Sequence, residues 1–242
     1  MVCARRGAMS DHLLLRKAAI LAQHFIGPDL DRNELHRLAE FAHLKHAHAN
    51  EVLFEKGEAG QSLMIVISGR VLIHSTSSAG KRLIINVIGP GEIFGEITVI
   101  DGGGRSAEAM AVEPTEYLVV ERRDFMGYLE KFPAVSLRLL RLLCRRVRIA
   151  TAQLEDEAFL GLDHRLARKV VAFMELSGKS GGNGQITVPI TQPELGAMLG
   201  VSRESVNKHL RRWAKTNLIR VGRGRLTVLD PAGVRRMAGE KM

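Results

Sequence analysis

The sequence is poor in cysteine and has no long apolar run. Cys3 and Cys144 are the only cysteines among 242 residues. Two thiols cannot build a disulfide framework, nor can they supply the several ligands of an iron–sulfur cluster. No apolar run approaches the ~18–20 residues that cross a membrane, and the N-terminal segment MVCARRGAMS lacks the apolar core of a signal peptide. We therefore expect a cytoplasmic protein with no membrane partner.

Acidic residues are scarce in one part of the chain only. Residues 1–162 contain 20 Lys and Arg and 20 Asp and Glu, whereas residues 163–242 contain 15 and 6. The last third therefore carries the whole formal charge of +9. A basic small segment after a neutral larger one predicts a nucleic-acid-binding module joined to a sensor or effector part.

The first half of the chain alternates between short β-rich runs and glycine turns. The runs extend from Glu51 to Glu121, and many short strands at regular spacing predict a small β-barrel or jelly roll. An amphipathic pattern over residues 11–24 predicts a helix before them. Asp31 and Glu34 form a capping-box pattern, which predicts a second helix to about Phe41.

One long helix is predicted from Pro133 to Leu160. Proline suits a first helical turn, and no glycine or second proline follows it before the end of this segment. Apolar residues at steps of three and four form a stripe typical of a two-stranded coiled coil: Leu140, Leu143, Val147, Ala150 and Leu154. The same stripe would suit a helix packed on its own domain. The strand-rich part before it and the basic helical part after it favour a homodimer.

A hinge is predicted between the long helix and the basic segment. Gly161 is expected to end the long helix in a left-handed cap, and Asp163 is expected to cap a helix over residues 164–176. A glycine-rich loop over residues 177–184 is typical of a turn between hairpin strands.

The basic segment predicts a winged helix-turn-helix. A helix that opens at a Thr191–Glu194 capping box and a helix capped by Ser202 are separated by a Gly200-Val201 turn. The strands of the wing and the start of a last helix complete the pattern: Leu218–Val221, Leu226–Leu229 and Asp230-Pro231.

The second helix of the pair carries the candidate base-reading residues. Arg203, Glu204 and Lys208 project from its first turns, where a recognition helix meets base edges in the major groove. Arg and Lys read guanine, and Glu accepts from cytosine. An ordinary solvent-exposed face with a Glu204–Lys208 pair is the alternative. Candidate phosphate contacts, which position the protein without specifying sequence, are Thr191, Gln192, Ser202 and Ser205.

The other chemical motif is FGEITVIDGGGRSA, residues Phe94–Ala107. Backbone N–H groups at a helix start, the guanidinium of Arg105 and the hydroxyl of Ser106 suit a single phosphate. Glu96 could accept a ribose hydroxyl. A glycine hairpin with one exposed arginine is the alternative.

Together these motifs resemble the cyclic AMP receptor protein and fumarate–nitrate regulator family of bacterial transcription factors. The resemblance covers roughly residues 30–235. It rests on Phe94-Gly95-Glu96 with Arg105-Ser106-Ala107, on the Arg145-Arg146 pair, and on Val201-Ser202-Arg203-Glu204-Ser205-Val206.

The resemblance implies an α+β fold in three parts. An N-terminal β-roll, a jelly-roll cyclic-nucleotide-binding domain, would take residues 1–132. A dimerisation helix and hinge would take residues 133–162, and a winged helix-turn-helix would take residues 163–242. The implied protein is a transcription regulator and not an enzyme. Its partners would be double-stranded DNA and RNA polymerase.

The resemblance also implies a cyclic nucleotide effector and its contacts. Glu96 would hold the ribose hydroxyl, Arg105 and Ser106 the cyclic phosphate, and Thr151 the base from the partner's helix. The implied binding set is Gly95, Glu96, Ile97, Arg105, Ser106, Ala107 and Thr151. Cyclic AMP is favoured and cyclic GMP stays open, because Ala150-Thr151 stands where the family's cyclic AMP binders carry Thr-Ser. Lys208 stands where a third base-reading Arg is usual.

The residues also bear on four alternatives to a cyclic nucleotide sensor. The iron–sulfur branch of the family needs cysteines that this chain lacks, and the haem branch carries Cys and His where this chain has Gly95 and Glu96, so no metal or haem is expected. A same-family regulator with a vestigial or different effector pocket is an open alternative. A cupin-like metal enzyme is a remote one, suggested by His46, His48 and Glu51. No later histidine is well placed to complete such a site, and His74 is the nearest option. The first two of these histidines precede the first predicted strand.

Overall fold

The computed structural model describes residues 14–22, 31–181 and 184–239. They form two compact units: residues up to Ser75 with Ile85–Arg145, and Thr76–Ile84 with the residues from Arg146 onward, so that one boundary falls within a long helix. Among these residues, no helix combines the length and apolar character that a membrane crossing requires. The N-terminal MVCARRGAMS segment, including Cys3, lies outside the described residues.

The described residues of the first unit include four short helices. Their bounds are α1 over residues 14–22, α2 over Arg32–Phe41, α3 over Glu96–Asp101 and α4 over Arg122–Lys131. The predicted capping box of α2 is confirmed: Glu34 N donates to Asp31 Oδ1 at 2.8 Å, and Asp31 N donates to Glu34 Oε2 at 2.7 Å. The helix predicted over residues 11–24 is helical at residues 14–22, and the rest of that range lies outside the described residues.

The strands of the first unit form two four-stranded sheets, ordered β1-β8-β3-β6 and β2-β7-β4-β5. The paired strands are antiparallel, for example Ile65 opposite Leu118 and His74 opposite Glu108. This arrangement confirms the predicted β-roll. The strands are β1 (His43–Ala47), β2 (Val52–Phe54), β3 (Ser62–Ser68), β4 (Val71–Thr76), β5 (Arg82–Ile88), β6 (Ile93–Phe94), β7 (Glu108–Ala111) and β8 (Thr115–Glu121).

Two of these strands are absent from the sequence-based prediction. β6 has only two residues, and β1 is an edge strand that pairs with β8 alone. Only Ala47 of β1 is buried, so the strand lacks the alternating apolar pattern by which a strand is detected. His46 therefore lies inside a strand, and the prediction that both histidines precede the first strand is wrong.

The alternation of side chains across β3 and β8 separates two apolar cores. Leu63 and Ile65 of β3, with Leu118 of β8, pack toward the helices. Met64 and Val119 point the other way, into the interior of the roll between the two sheets. Successive residues of a strand face opposite sides, so one central pair of strands supports both layers.

The predicted long helix is α5, Pro133–Phe159, and it spans about 40 Å at 1.5 Å per residue. One face of its first half is buried through Val135, Leu139 and Leu142. Four residues of the predicted stripe are exposed, namely Leu140, Val147, Ala150 and Leu154, whereas Leu143 is partly buried beside that face and Cys144 is exposed. The exposed residues at steps of four and three are Leu140, Cys144, Val147, Thr151 and Leu154.

The second unit is a winged helix-turn-helix around a single apolar core. Its strands are ordered β11-β12-β10-β9, and the β9–β10 pairing confirms the predicted hairpin. Its elements are α6 (Leu162–Ser177), β9 (Lys179–Ser180), β10 (Ile186–Val188), α7 (Gln192–Leu199), α8 (Arg203–Lys215), β11 (Ile219–Gly222), β12 (Arg225–Val228) and α9 (Pro231–Met237).

The junction between α5 and α6 differs from the prediction. Gly161 has φ −64° and ψ 159°, which is extended and not left-handed. The helix α6 begins at Leu162, so Asp163 lies within its first turn and is not its N-cap. The left-handed cap at Gly161 and the capping role of Asp163 are therefore wrong.

Candidate functional site

The candidate nucleotide motif is a turn–helix–turn between β6 and β7. Gly95 precedes α3 with φ 76°, and Gly102 follows it with φ 74°. Both angles lie in the left-handed region that glycine adopts without strain. The chain then returns through Gly103 and Gly104 to Arg105. The predicted helix start at the glycine after Phe94 is confirmed.

Arg105 is the central side chain of this motif. It is 5% exposed, so the alternative of a hairpin with an exposed arginine is wrong. Its Nη1 donates to Gly95 O at 3.0 Å, and its guanidinium carbon lies 4.2 Å from the centroid of the Phe54 ring. Its buried Nε has no hydrogen-bond partner among the described residues. A buried cation with unused donor capacity is suited to an anionic ligand.

Two glycines make room for the guanidinium. A Cβ at Gly60 would lie 2.6 Å from the Cζ and Nε of Arg105, and a Cβ at Gly95 would lie 2.6 Å from its Nη1. Neither distance is possible for real atoms, so any side chain at these positions would displace Arg105. Backbone bonds fix the same region, since Arg105 N donates to Glu58 O at 2.8 Å.

Burial and nearby negative charges act on the pKa of Arg105 in opposite directions. Burial lowers the pKa of the Arg105 guanidinium, and the negative charges of Glu58, Glu96 and Glu121 oppose that shift. Glu96 itself is 1% exposed, in the first turn of α3. The guanidinium of Arg105 and the side chain of Glu96 are thus both buried near the start of one short helix.

The other predicted nucleotide contacts differ in burial and in the element that carries them. Ala107 is buried, whereas Ile97 and Ser106 are exposed at the rim of the motif. Thr151 lies on the exposed stripe of α5, and its contact with a nucleotide held by the partner stays a prediction. Phe54 and Gly60 were not predicted; the second glycine of Gly57-Glu58-Ala59-Gly60 is the one sequence signal that could have indicated a close approach.

The histidines considered as metal ligands are separated in the fold. His46 is exposed on β1, and His48 is exposed beyond it. His74 is buried on β4, where its Nδ1 lies 3.3 Å from Oε2 of Glu108 on β7. Within residues 14–22, 31–181 and 184–239, no group of three or more His, Cys, Asp or Glu side chains could hold a metal ion.

The helix pair of the second unit is fixed by the predicted caps. Ser202 Oγ accepts from Ser205 N at 3.2 Å, and Thr191 Oγ1 accepts from Glu194 N at 3.3 Å. Gly200 closes the turn with φ 66°. The hydroxyls of Thr191 and Ser202 therefore stabilise helix starts in the free protein, and their predicted phosphate contacts, with those of Gln192 and Ser205, stay predictions.

The candidate base-reading residues share the exposed start of α8. Arg203, Glu204 and Lys208 are all exposed there, while Val206 and Leu210 on the other side are buried. The pKa of Glu204 is lowered by hydrogen bonds from its own backbone N–H and from the Ser202 hydroxyl. Glu204 is thus ionised at neutral pH, as an acceptor for cytosine N4 would be.

The wing adds cations that were not predicted from the sequence. Arg220, Arg223 and Arg225 are exposed on β11, β12 and the turn between them. Arg203 lines one cavity with Arg223 and Arg225. Exposed arginines beside a recognition helix are suited to backbone phosphates.

Comparison with known proteins agrees with this architecture. Residues 44–132 match the model of the cyclic nucleotide-binding domain, and residues 164–237 match the Crp-like helix-turn-helix domain. The chain is 37% identical over 180 residues to the cyclic AMP receptor protein of Thermus thermophilus. The aligned region covers 74% of this chain and 81% of that protein. The chain belongs to the cyclic AMP receptor protein and fumarate–nitrate regulator family.

Other members of the family extend the comparison. The chain is 30% identical over 187 residues to the CRP-like cAMP-activated global transcriptional regulator of Mycobacterium tuberculosis, covering 77% of this chain and 84% of that one. The c-di-GMP responsive global regulator CLP of Xanthomonas campestris superposes with a TM-score of 0.74 over 82% of this chain and 99% of that chain, at 20% identity. The latter likeness shows the fold alone.

Proposed function

We propose that this chain is a homodimeric transcription regulator whose affinity for a palindromic DNA site is set by a cyclic nucleotide. The observation that carries the proposal is Arg105: a buried guanidinium with an unused donor, in a cradle cleared by glycines and next to the buried Glu96. This pair of side chains fits a cyclic nucleotide, whose phosphate can accept from the Arg105 guanidinium and whose ribose hydroxyl can donate to Glu96.

The proposed contacts follow from the placement of the motif. Arg105 and Ser106 hold the phosphate, and Glu96 accepts the ribose hydroxyl. Backbone groups of Gly95, Ile97 and Ala107 line the same turn. Thr151 reaches the base from the partner's helix, so the effector and the dimer interface share a residue.

Cyclic AMP is the favoured effector, and calorimetry of the purified protein tests it. The relatives named for cyclic AMP support this choice, whereas Ala150-Thr151 leaves room for cyclic GMP. We expect saturable binding of cyclic AMP and a lower affinity for cyclic GMP. The control is 5′-AMP, whose phosphate is not cyclised. Binding of neither cyclic nucleotide would contradict the proposal and favour a vestigial or different effector pocket.

The dimer is proposed to form along α5. Val147 is 64% exposed although it is apolar, and it lies on the stripe between Leu140 and Leu154. A parallel two-stranded coiled coil would cover this stripe and bring equivalent core positions face to face.

Cys144 provides a direct test of that dimer, because it lies on the same stripe. Mild oxidation should give a covalent dimer with the wild type and with Cys3→Ala, and none with Cys144→Ala, on non-reducing gels. Sedimentation of each reduced sample gives the dimer fraction. A reduced dimer that Cys144 never crosslinks would contradict the assigned face of α5.

The DNA-binding half of the proposal places Arg203, Glu204 and Lys208 against base edges, with the wing arginines on phosphates. RNA polymerase is the proposed further partner, and the cytoplasm is the proposed compartment because a regulator of this class works at the chromosome. The expectation that the chain is not an enzyme stays a prediction.

A further inference from the structure

Asp163 joins the start of α6 to the recognition helix through three side chains. Its Oδ1 lies 2.6 Å from His209 Nδ1 and accepts from Trp213 Nε1 at 3.2 Å, and its Oδ2 accepts from the guanidinium of Arg212. All three donors belong to α8. One carboxylate thus ties the first turn after the α5–α6 junction to the helix that carries the base-reading residues.

The chemistry of this cluster is that of an ionised carboxylate with charged or polar donors. Partial burial acts to raise the pKa of Asp163, but the hydrogen bonds and charges of His209 and Arg212 outweigh it and lower that pKa. The contact between His209 Nδ1 and Asp163 Oδ1 is a hydrogen bond in the tautomer that carries the proton on Nδ1. Trp213 is 1% exposed, and its indole N–H can only donate.

Two of the three donors lie away from the base-reading side of α8. At 3.6 residues per turn, His209 and Trp213 are about a third to a half of a turn from Glu204 and Lys208, whereas Arg212 is one turn beyond Lys208 on nearly the same side. Anchors at three positions of one face define the rotation of α8 about its axis as well as its tilt. The direction in which the base-reading side chains point therefore depends on where Asp163 lies.

The end of α5, which precedes the junction, is also bonded to α6. Arg165 Nη1 lies 2.6 Å from Glu157 Oε2 at the end of α5, and its Nη2 donates to Leu199 O at 3.1 Å, at the end of α7. Arg168 contacts Asp156 of α5 and donates through Nε to Ala238 O at 3.1 Å. The first turns of α6 thus connect the end of the long helix to both helices of the reading pair.

We propose that Asp163 is a positioning residue for DNA recognition: it makes α8 follow α6, so that the course of α5 into α6 sets the placement of the reading helix. The inference rests on the proposed function only in that a dimer presents two such helices to one DNA site. Loss of the carboxylate should loosen the orientation of each α8 within the dimer without removing any base contact.

The test compares operators whose half-sites, selected from randomised palindromes, are separated by the preferred spacing or by one base pair more or less. The wild-type dimer should prefer one spacing by about tenfold or more. Asp163→Asn should reduce that preference by about fivefold while its affinity for an isolated half-site changes by less than about threefold. The matched control is Glu175→Gln, which removes a carboxylate from the same helix, where Glu175 pairs with Arg235 of α9.

Trp213, the single tryptophan of the chain, reports the contact directly. Its emission should shift in Asp163→Asn and stay unchanged in Glu175→Gln. If the emission shifts but the spacing preference is fully retained, Asp163 is merely structural and the proposal is overturned. If Asp163→Asn does not fold, His209→Leu should give a partial loss of spacing preference, and full retention there would overturn the proposal.

The positioning role of Asp163 and the proposed nucleotide regulation can fail independently of each other. All spacing measurements are made both without effector and with saturating cyclic AMP. If the nucleotide does not change the operator affinity of the wild type, the proposed regulation is contradicted. A loss of spacing preference in Asp163→Asn would still support the positioning role in that case.

Discussion

Arg105→Leu is expected to weaken cyclic-nucleotide binding by about 100-fold or more while the protein stays folded. A charge-assisted hydrogen bond contributes about 1.5–3 kcal/mol, and a guanidinium offers a phosphate two parallel bonds. Loss of about 3 kcal/mol corresponds to roughly 150-fold in affinity. Calorimetry with cyclic AMP measures the change.

Arg105→Leu removes one of two neighbouring buried groups of opposite charge, because Glu96 is also buried and acts on the guanidinium. Removing one member of such a pair typically costs about 3–5 kcal/mol, and packing of the leucine against the Phe54 ring offsets part of this. We therefore expect a lower midpoint of thermal unfolding, with a cooperative transition above the temperature of the binding measurement.

The control for Arg105→Leu is Arg123→Leu, which removes a cation from α4 whose side chain is 91% exposed. It should bind nucleotide as the wild type does. If Arg105→Leu also binds with wild-type affinity, the phosphate does not lie in this motif and the nucleotide site is elsewhere.

Arg203→Ala is expected to change the sequence preference of the protein at one G·C pair. A bidentate contact of arginine with guanine discriminates against other bases by about 1–3 kcal/mol. Arg203 is exposed in the first turn of α8, where recognition helices contact base edges. Binding to a randomised operator library, read by sequencing of the bound fraction, should show that preference relaxed at one position of each half-site.

Arg223→Ala in the wing is the matched control. An arginine that binds only a phosphate reads no sequence directly, so this variant should weaken all sites alike. It should also lower the slope of log K against log salt by about 0.9 for each phosphate that the variant no longer neutralises. If Arg203→Ala instead weakens every sequence equally, Arg203 itself binds a phosphate and not a base.

Features determined by near neighbours in the chain were predictable. The caps at Asp31, Thr191 and Ser202 each involve a partner three residues away, so the residue types at fixed spacing indicate them. The long helix was bounded within one residue, because its proline start and unbroken helical composition are also local signals.

The surroundings of Arg105 were not predictable in the same way. Its burial depends on Phe54 and Gly60, which belong to a different part of the roll and meet the motif only through sheet pairing. A local pattern identifies Arg105 and Ser106 as suited to a phosphate, but it cannot show which distant residues cover the guanidinium.

The junction at Gly161 shows how tertiary contacts override a local preference. Aspartate favours an N-cap, and the sequence predicts that role for Asp163. In the fold, donors 46, 49 and 50 residues further along the chain take its carboxylate instead. The helix begins earlier, at Leu162, with Gly161 extended before it.

Nucleotide binding and DNA binding are proposed to be coupled through the dimer. The most direct test of this coupling is the affinity of the full-length wild-type protein for its selected operator, with and without saturating cyclic nucleotide, at one fixed salt concentration. Coupling of about 1–3 kcal/mol predicts a 5- to 150-fold change, and this change should be absent in Arg105→Leu. An unchanged wild-type affinity with both cyclic AMP and cyclic GMP would contradict the account.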